Sequence, residues 1–139
     1  MAVVSAIAVP RYARSLERYR VDAAAARIIA DLAYAQSRAR TTSSTKRVSF
    51  DISKDSYTLE QIADIKHETV PYVVDLSSQP YGVSIDSVDF VDPISGLGPE
   101  NVDFDGYGVP DSGGEVVISA GAQSRTIELD DQTGKARVK

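Results

Sequence analysis

Apolar side chains change period once along this chain. From Val21 to Ala39 they recur at three- and four-residue steps: Val21, Ala25, Ile28, Leu32, Ala35 and Ala39 fall on one helical face. No Gly or Pro lies between Arg11 and Val70, and good helix formers fill the segment from Arg11 to Arg40. The pattern predicts one helix over 11–40, about 45 Å long at about 1.5 Å per residue. Arg18–Asp22 and Arg27–Asp31 stand four apart and are expected to pair on its surface. The hydroxyl run Thr41-Thr42-Ser43-Ser44-Thr45 ends it, because such side chains compete for backbone hydrogen bonds. Ahead of Val21 the face is interrupted by Arg11, Arg14, Glu17, Arg18 and Arg20, which leave only Tyr12, Leu16 and Tyr19 in step. The second half of the helix is therefore expected to pack on the rest of the chain, and the first half to protrude.

After Thr45 the period becomes two. Val48, Phe50 and Ile52 alternate with Arg47, Ser49 and Asp51, and Tyr57 and Leu59 follow Ser53-Lys54-Asp55, so 46–62 predicts a hairpin. Further strands are expected at 83–91, 101–105, 115–120, 124–130 and 135–138. The last two are joined by Asp131-Gln132-Thr133-Gly134, where Gly supplies a positive φ. Between 63 and 82, with Pro71 and Pro80, a short strand plus loops fits best. Each alternating strand has one apolar face, as in an antiparallel sheet covered on one side. The expected fold is α+β: a long N-terminal helix (1–45) packed on an antiparallel β body (46–139) of two sheets.

Composition sharpens this division. All nine Gly lie at Gly82 or later, and twelve of the sixteen Ala fall within the first 40 residues. Residues 1–47 hold nine basic and three acidic side chains, whereas 48–139 hold six and seventeen, so a basic helix adjoins an acidic body within a net charge of −5. The chain has no Cys and one His, which excludes disulfides, thiol catalysis and multi-histidine metal sites. The low pI of about 4.8 argues against a surface given over to nucleic acid.

Candidate chemistry is sparse, and neither an enzyme nor a cofactor is expected. No nucleophile elbow or P-loop occurs, and His67, between Lys66 and Glu68, reads as a solvated loop residue. Gly96-Leu97-Gly98-Pro99 lacks the third Gly of a dinucleotide loop and has Pro where a helix should open. Asp86, Asp89, Asp92, Asp103, Asp105 and Asp111 are close in sequence, and Asp103-Phe104-Asp105-Gly106 carries part of a calcium-loop pattern without the bidentate Glu. Asp103 and Asp105 are thus weak calcium candidates; strand alternation explains them equally by turning Val102 and Phe104 inward. At the C-terminus, alternation places Lys135, Arg137 and Lys139 on one strand face, a conceivable phosphate contact. The alternative is a solvated face paired with nearby carboxylates, beside an acidic body that repels DNA at long range.

The first ten residues, Met1-Ala2-Val3-Val4-Ser5-Ala6-Ile7-Ala8-Val9-Pro10, are uncharged and open onto Arg11. They are too short to span a bilayer and have no basic segment before them, as a signal peptide would. Two accounts remain: an irregular start with Pro10 opening the helix, or the tail of a longer hydrophobic helix.

Val4-Ser5-Ala6-Ile7-Ala8-Val9-Pro10-Arg11-Tyr12 resembles the end of the hydrophobic helix of type IV pilins and type II secretion pseudopilins. The stretch from Ala23 to Ala39, running into Arg47-Val48-Ser49-Phe50-Asp51, is similar to the GspH/FimT branch, as are Phe104-Asp105-Gly106-Tyr107-Gly108 and Thr133-Gly134-Lys135-Ala136-Arg137-Val138. The leader, processed Phe and following acidic residue of that family have no counterpart here. The resemblance therefore implies that Met1 is an introduced start and that the membrane half of the helix is missing. It implies a minor pseudopilin of a type II secretion system. The native protein would be anchored in the bacterial inner membrane, with a periplasmic body. It would assemble with other pseudopilins or pilins in a helical filament, and a secreted protein would be a further partner. Val4, Ile7, Pro10, Tyr12 and Leu16 would make filament contacts. The alternative within the resemblance is a FimT-like minor pilin that binds DNA through its closing strand.

Overall fold

The computed structural model describes residues 2–90 and 100–139, with the backbone alone for residues 2–10. Helix α1 spans Ala2–Thr42, so it begins well before Arg11 and carries Pro10 inside it rather than as its first residue. Its end is set by backbone geometry as well as by hydroxyls. Ser43 adopts φ 49°, Ser43 N–H donates to the Arg40 carbonyl at 3.3 Å and Ser44 N–H to the Ala39 carbonyl at 3.2 Å, a Schellman closure with Ser in the left-handed position. Thr41 and Thr42 hydroxyls donate back to the Ser37 and Arg38 carbonyls, both at 2.8 Å. They use acceptors at the very turn where the helix stops.

Eight strands follow: β1 (Lys46–Asp51), β2 (Ser56–Ala63), β3 (Pro71–Asp75), β4 (Ser84–Phe90), β5 (Asn101–Phe104), β6 (Gly114–Ala120), β7 (Gln123–Leu129) and β8 (Ala136–Val138). They form two antiparallel four-stranded sheets, ordered β3-β2-β1-β5 and β4-β6-β7-β8. The α+β fold with a long helix on two sheets is thus what the sequence pattern predicts. The segment 63–82 supplies β3, which pairs with β2 across a register shift between Leu59 and Ala63. Val91, the expected end of β4, lies outside the described residues, as do Asp92 and the Gly96–Pro99 run.

The alternation of each strand drives its buried face into a shared core. Val48 and Phe50 of β1, Tyr57 and Leu59 of β2, and Val102 and Phe104 of β5 are buried from the first sheet. Ile85 and Phe90 of β4, Val116 and Ile118 of β6, and Ile127 and Leu129 of β7 are buried from the second. The Phe50 ring meets Tyr57 at 5.3 Å and Phe90 at 5.7 Å, which joins the two sheets through tilted aromatic contacts. Helix α1 lies against strands of both sheets. Val21, Ala25, Ile28, Leu32, Ala35 and Ala39 are all buried there, together with Ala24.

One expected ion pair does not form. Asp22 accepts from Arg125 Nε of β7 at 2.8 Å instead of meeting Arg18. The tertiary partner is fixed by the sheet, whereas an exposed helical pair would have to order two free side chains for a few tenths of a kcal/mol. Arg27–Asp31 does form, at 2.8 Å, with Asp31 buried and Arg27 partly exposed in a larger network.

Candidate assembly surface and polar anchors

From residue 11 to residue 15 every side chain of α1 is exposed, and full burial starts at Val21. The helix therefore projects beyond the body. Tyr12 is 71% and Tyr19 67% exposed, and Leu16 is half-buried. Val4, Ile7 and Pro10 lie within α1, and their side chains fall outside the described residues.

The side of α1 facing away from the body has a regularity that the inward stripe hides. Tyr12, Leu16, Tyr19, Ala23, Ala26, Ala30, Ala33 and Ser37 follow alternating steps of four and three. That is the spacing of a coiled-coil seam. Ala26, Ala30, Ala33 and Ser37 are exposed, and Ala23 is half-buried. An isolated surface helix would normally carry charges along this line. Here Arg11, Arg18, Asp22 and Arg40 stand to its side. The heptad spacing was present in the sequence, but its alanines read as helix formers and not as a contact surface.

Polar side chains fix the inner face of the helix. Asp31 is only 5% exposed. Its Oδ2 accepts from Tyr57 Oη at 2.6 Å and Arg27 Nε at 2.8 Å, and its Oδ1 accepts from Tyr72 Oη at 2.9 Å. Arg27 also donates to Tyr72 Oη at 2.8 Å and to Tyr81 Oη at 3.4 Å. Burial, with the Asp31 charge adding to it, pushes the Tyr57 phenol far above its ordinary range. Burial and the bond to Asp31 raise Tyr72 too. The hydrogen bond to Asp31 raises Arg27, so the guanidinium stays charged. Nearer the helix end, Gln36 Nε2 donates to the Gly108 carbonyl at 2.8 Å and the Thr133 carbonyl at 2.9 Å, and Arg40 Nε to the Tyr107 carbonyl at 3.1 Å.

Asp103 and Asp105 both have protein partners. Both Asp103 oxygens accept from Arg47, at 2.6 and 2.8 Å, across the β1–β5 pair. This bond holds the Arg47 guanidinium above its ordinary range. Asp105 Oδ1 accepts from the backbone N–H groups of Tyr107 and Val109 and so shapes the loop after β5. An acidic cleft of about 490 Å³ does exist, lined by Asp89, Asp111, Glu115, Glu128 and Asp131. No group of three or more His or carboxylate side chains placed to hold a metal occurs among the described residues.

Two of the three cations of the closing segment meet carboxylates. Arg137 pairs with Glu128 at 3.1 Å, and Lys139 with Glu115 at 2.6 Å, a bond that raises the Lys139 ammonium. Lys135 is exposed. His67 is exposed in the loop before β3, 3.9 Å from Asp64. No helix among the described residues is long and apolar enough to cross a membrane.

No protein-family profile matches the chain, and no curated protein matches it. Two solved structures do. The minor pseudopilin EpsH from the type 2 secretion system of Vibrio cholerae is 14% identical over 86% of this chain and 96% of that one, with a TM-score of 0.62. The type IV minor pilin FimU of Pseudomonas aeruginosa is 14% identical over 88% of this chain and 90% of that one, with a TM-score of 0.60. The chain has the α+β fold of these pilin-like proteins, a long helix laid on an antiparallel body.

Proposed function

We propose that this chain is a structural subunit, not an enzyme, and that it assembles side by side with other pilin-like subunits through α1. The observation that carries this is the uncharged seam from Tyr12 to Ser37 on the outer side of a helix whose inner side is already used by its own body. A helix apolar on both sides is suited to burial between neighbours. Alanine and serine on the outer line let a second helix approach closely. Within pilin-like machines we favour a minor pseudopilin of a type II secretion system, with the body in the periplasm. The EpsH likeness and the resemblance of Val4–Tyr12 to the pseudopilin helix support this reading. DNA capture by the closing strand is disfavoured, since Glu128 and Glu115 already neutralise Arg137 and Lys139.

Replacing exposed Ala30 with Arg tests the proposal. The substitution touches no core residue, so the isolated protein should melt as before. In the native host it should prevent incorporation into filaments and impair the process they serve. Normal incorporation of Ala30→Arg would refute the seam.

A further inference from the structure

The buried face of α1 is rich in small side chains. Ala24, Ala25, Ala35 and Ala39 stand among Val21, Ile28 and Leu32, with Ile29 and Tyr34 only partly buried at its margins. Alanines allow close approach, but a row of similar methyls packs almost as well after the helix turns or slides. A slip of one residue rotates the helix by about 100°, and a slip of one turn moves it by about 5 Å. Such errors would be transmitted along a rigid helix to Tyr12 and Tyr19, beyond the body. Something other than apolar packing has to select the placement.

Two buried polar side chains, Asp31 and Gln36, interrupt this face, and each is tied to segments remote in sequence. Asp31 binds the hydroxyls of Tyr57 on β2 and Tyr72 on β3, both in the first sheet. Gln36 binds the carbonyls of Gly108, which follows β5 of the first sheet, and Thr133, which precedes β8 of the second. One amide thus holds the helix to both sheets at once. Among the described residues no buried side-chain nitrogen or oxygen lacks a partner. A turn or a slide would leave a carboxylate, two phenols and an amide unpaired away from water, a heavy penalty.

We propose that Asp31 and Gln36 are positioning residues that select a single axial and rotational register of α1 on its body, contributing uniqueness of placement rather than net stability. The physical ground is the balance in buried polar groups. Removing them from water costs about what their mutual attraction returns, so a well-packed apolar replacement is close to neutral, whereas a mispaired state is strongly disfavoured. Tyr57 and Tyr72 supply the matching donors, and Arg27 completes the carboxylate's partners while its own side chain keeps 38% exposure. The proposal concerns placement within one chain and stands whether or not the assembly reading holds.

The chain has no Cys, so paired labels can be placed without background. Spin labels at Tyr12→Cys and Lys54→Cys, both exposed positions, report where the helix lies relative to the body. The parent is expected to give one narrow distance distribution. The combined variant Asp31→Leu, Gln36→Leu, Tyr57→Phe and Tyr72→Phe should fold, melting below the parent only by what the Gly108 and Thr133 carbonyls lose with their donor. Its distribution should broaden or gain a second population shifted by about 5 Å, one helical turn. Restoring Gln36 alone should narrow it again. An unchanged narrow distribution in the folded variant would overturn the proposal. Failure of the combined variant to fold would overturn it too, because the anchors would then be supplying stability.

Discussion

The Tyr57 hydroxyl donates to Asp31 Oδ2 at 2.6 Å across 26 residues of chain, from the middle of the first sheet to the middle of the helix. Both groups are buried, and each satisfies the other. Removing one partner is therefore a different experiment from removing all of them. Asp31→Ala leaves the hydroxyls of Tyr57 and Tyr72 without their acceptor and Arg27 without its counter-charge. A loss of about 2–3 kcal/mol is expected, chiefly from the two phenols left without an acceptor, since water reaches the partly exposed Arg27. Tyr57→Phe should cost about 1–2 kcal/mol. Urea unfolding of each variant measures both values.

The same burial predicts an alkaline limit. An unfolded chain releases its tyrosine protons near pH 10. In the folded protein Tyr57 and Tyr72 hold theirs well above that. Above about pH 10 the unfolded state thus binds fewer protons than the folded one, and stability falls as pH rises; below it the contribution is constant. Tyrosinate absorbance during an alkaline titration, compared between the parent and the Tyr57→Phe and Tyr72→Phe variants, isolates the share of these two phenols. That share should appear only with loss of the folded circular-dichroism signal. Its appearance with the fold intact would contradict the network.

Gly134 sits at φ 69° in the turn between β7 and β8, and a side chain there would run into Gln36 Nε2. Gly134→Ala should cost about 1–3 kcal/mol from the left-handed backbone alone, with the collision in addition. Pairing it with Gln36→Ala should recover part of the loss, because the collision is then gone. A double-mutant cycle read by thermal melting checks this, and strict additivity would contradict it.

Arg47 and Asp103 form a two-bond ion pair across β1 and β5. Their side chains are 44% and 24% exposed, so solvent screens them. Their coupling energy should be about 1 kcal/mol or less, weakening with added salt. A double-mutant cycle at two salt concentrations tests this. Calcium addition should leave the melting temperature unchanged, since both carboxylate oxygens of Asp103 already have partners.

Much of this architecture is legible from residue order because it rests on local periodicity. The inward stripe from Val21 to Ala39, the 46–62 hairpin and the Asp131–Gly134 turn need no distant information. The helix terminus at Thr41–Ser44 is readable in the same way, although the hydroxyls share that work with the left-handed Ser43. The polar anchors are not local. Asp31 meets partners 26 and 41 residues away, and Gln36 reaches 72 and 97 residues along the chain. Read along the helix alone, Asp31 was a surface partner for Arg27. Its place one turn from Ile28 and Ala35, inside the apolar stripe, was the available signal. Asp22 misleads for a related reason, since Arg125 out-competes the neighbour four residues earlier. The outer seam is hard to read from the sequence because alanine is both the best helix former and a close-packing contact residue, so the same residues serve either role.

In the proposed assembly the outer line of α1 lies against a neighbouring subunit. Photo-crosslinking in the native host tests it most directly, with a photoreactive residue placed in turn at Ala26, at Ala30 and, as a control, at exposed Val73 on β3. The account predicts adducts with other pilin-like subunits from Ala26 and Ala30, lost when Ala33 is changed to Arg. Adducts from Val73 alone, with none from the helix, would contradict it.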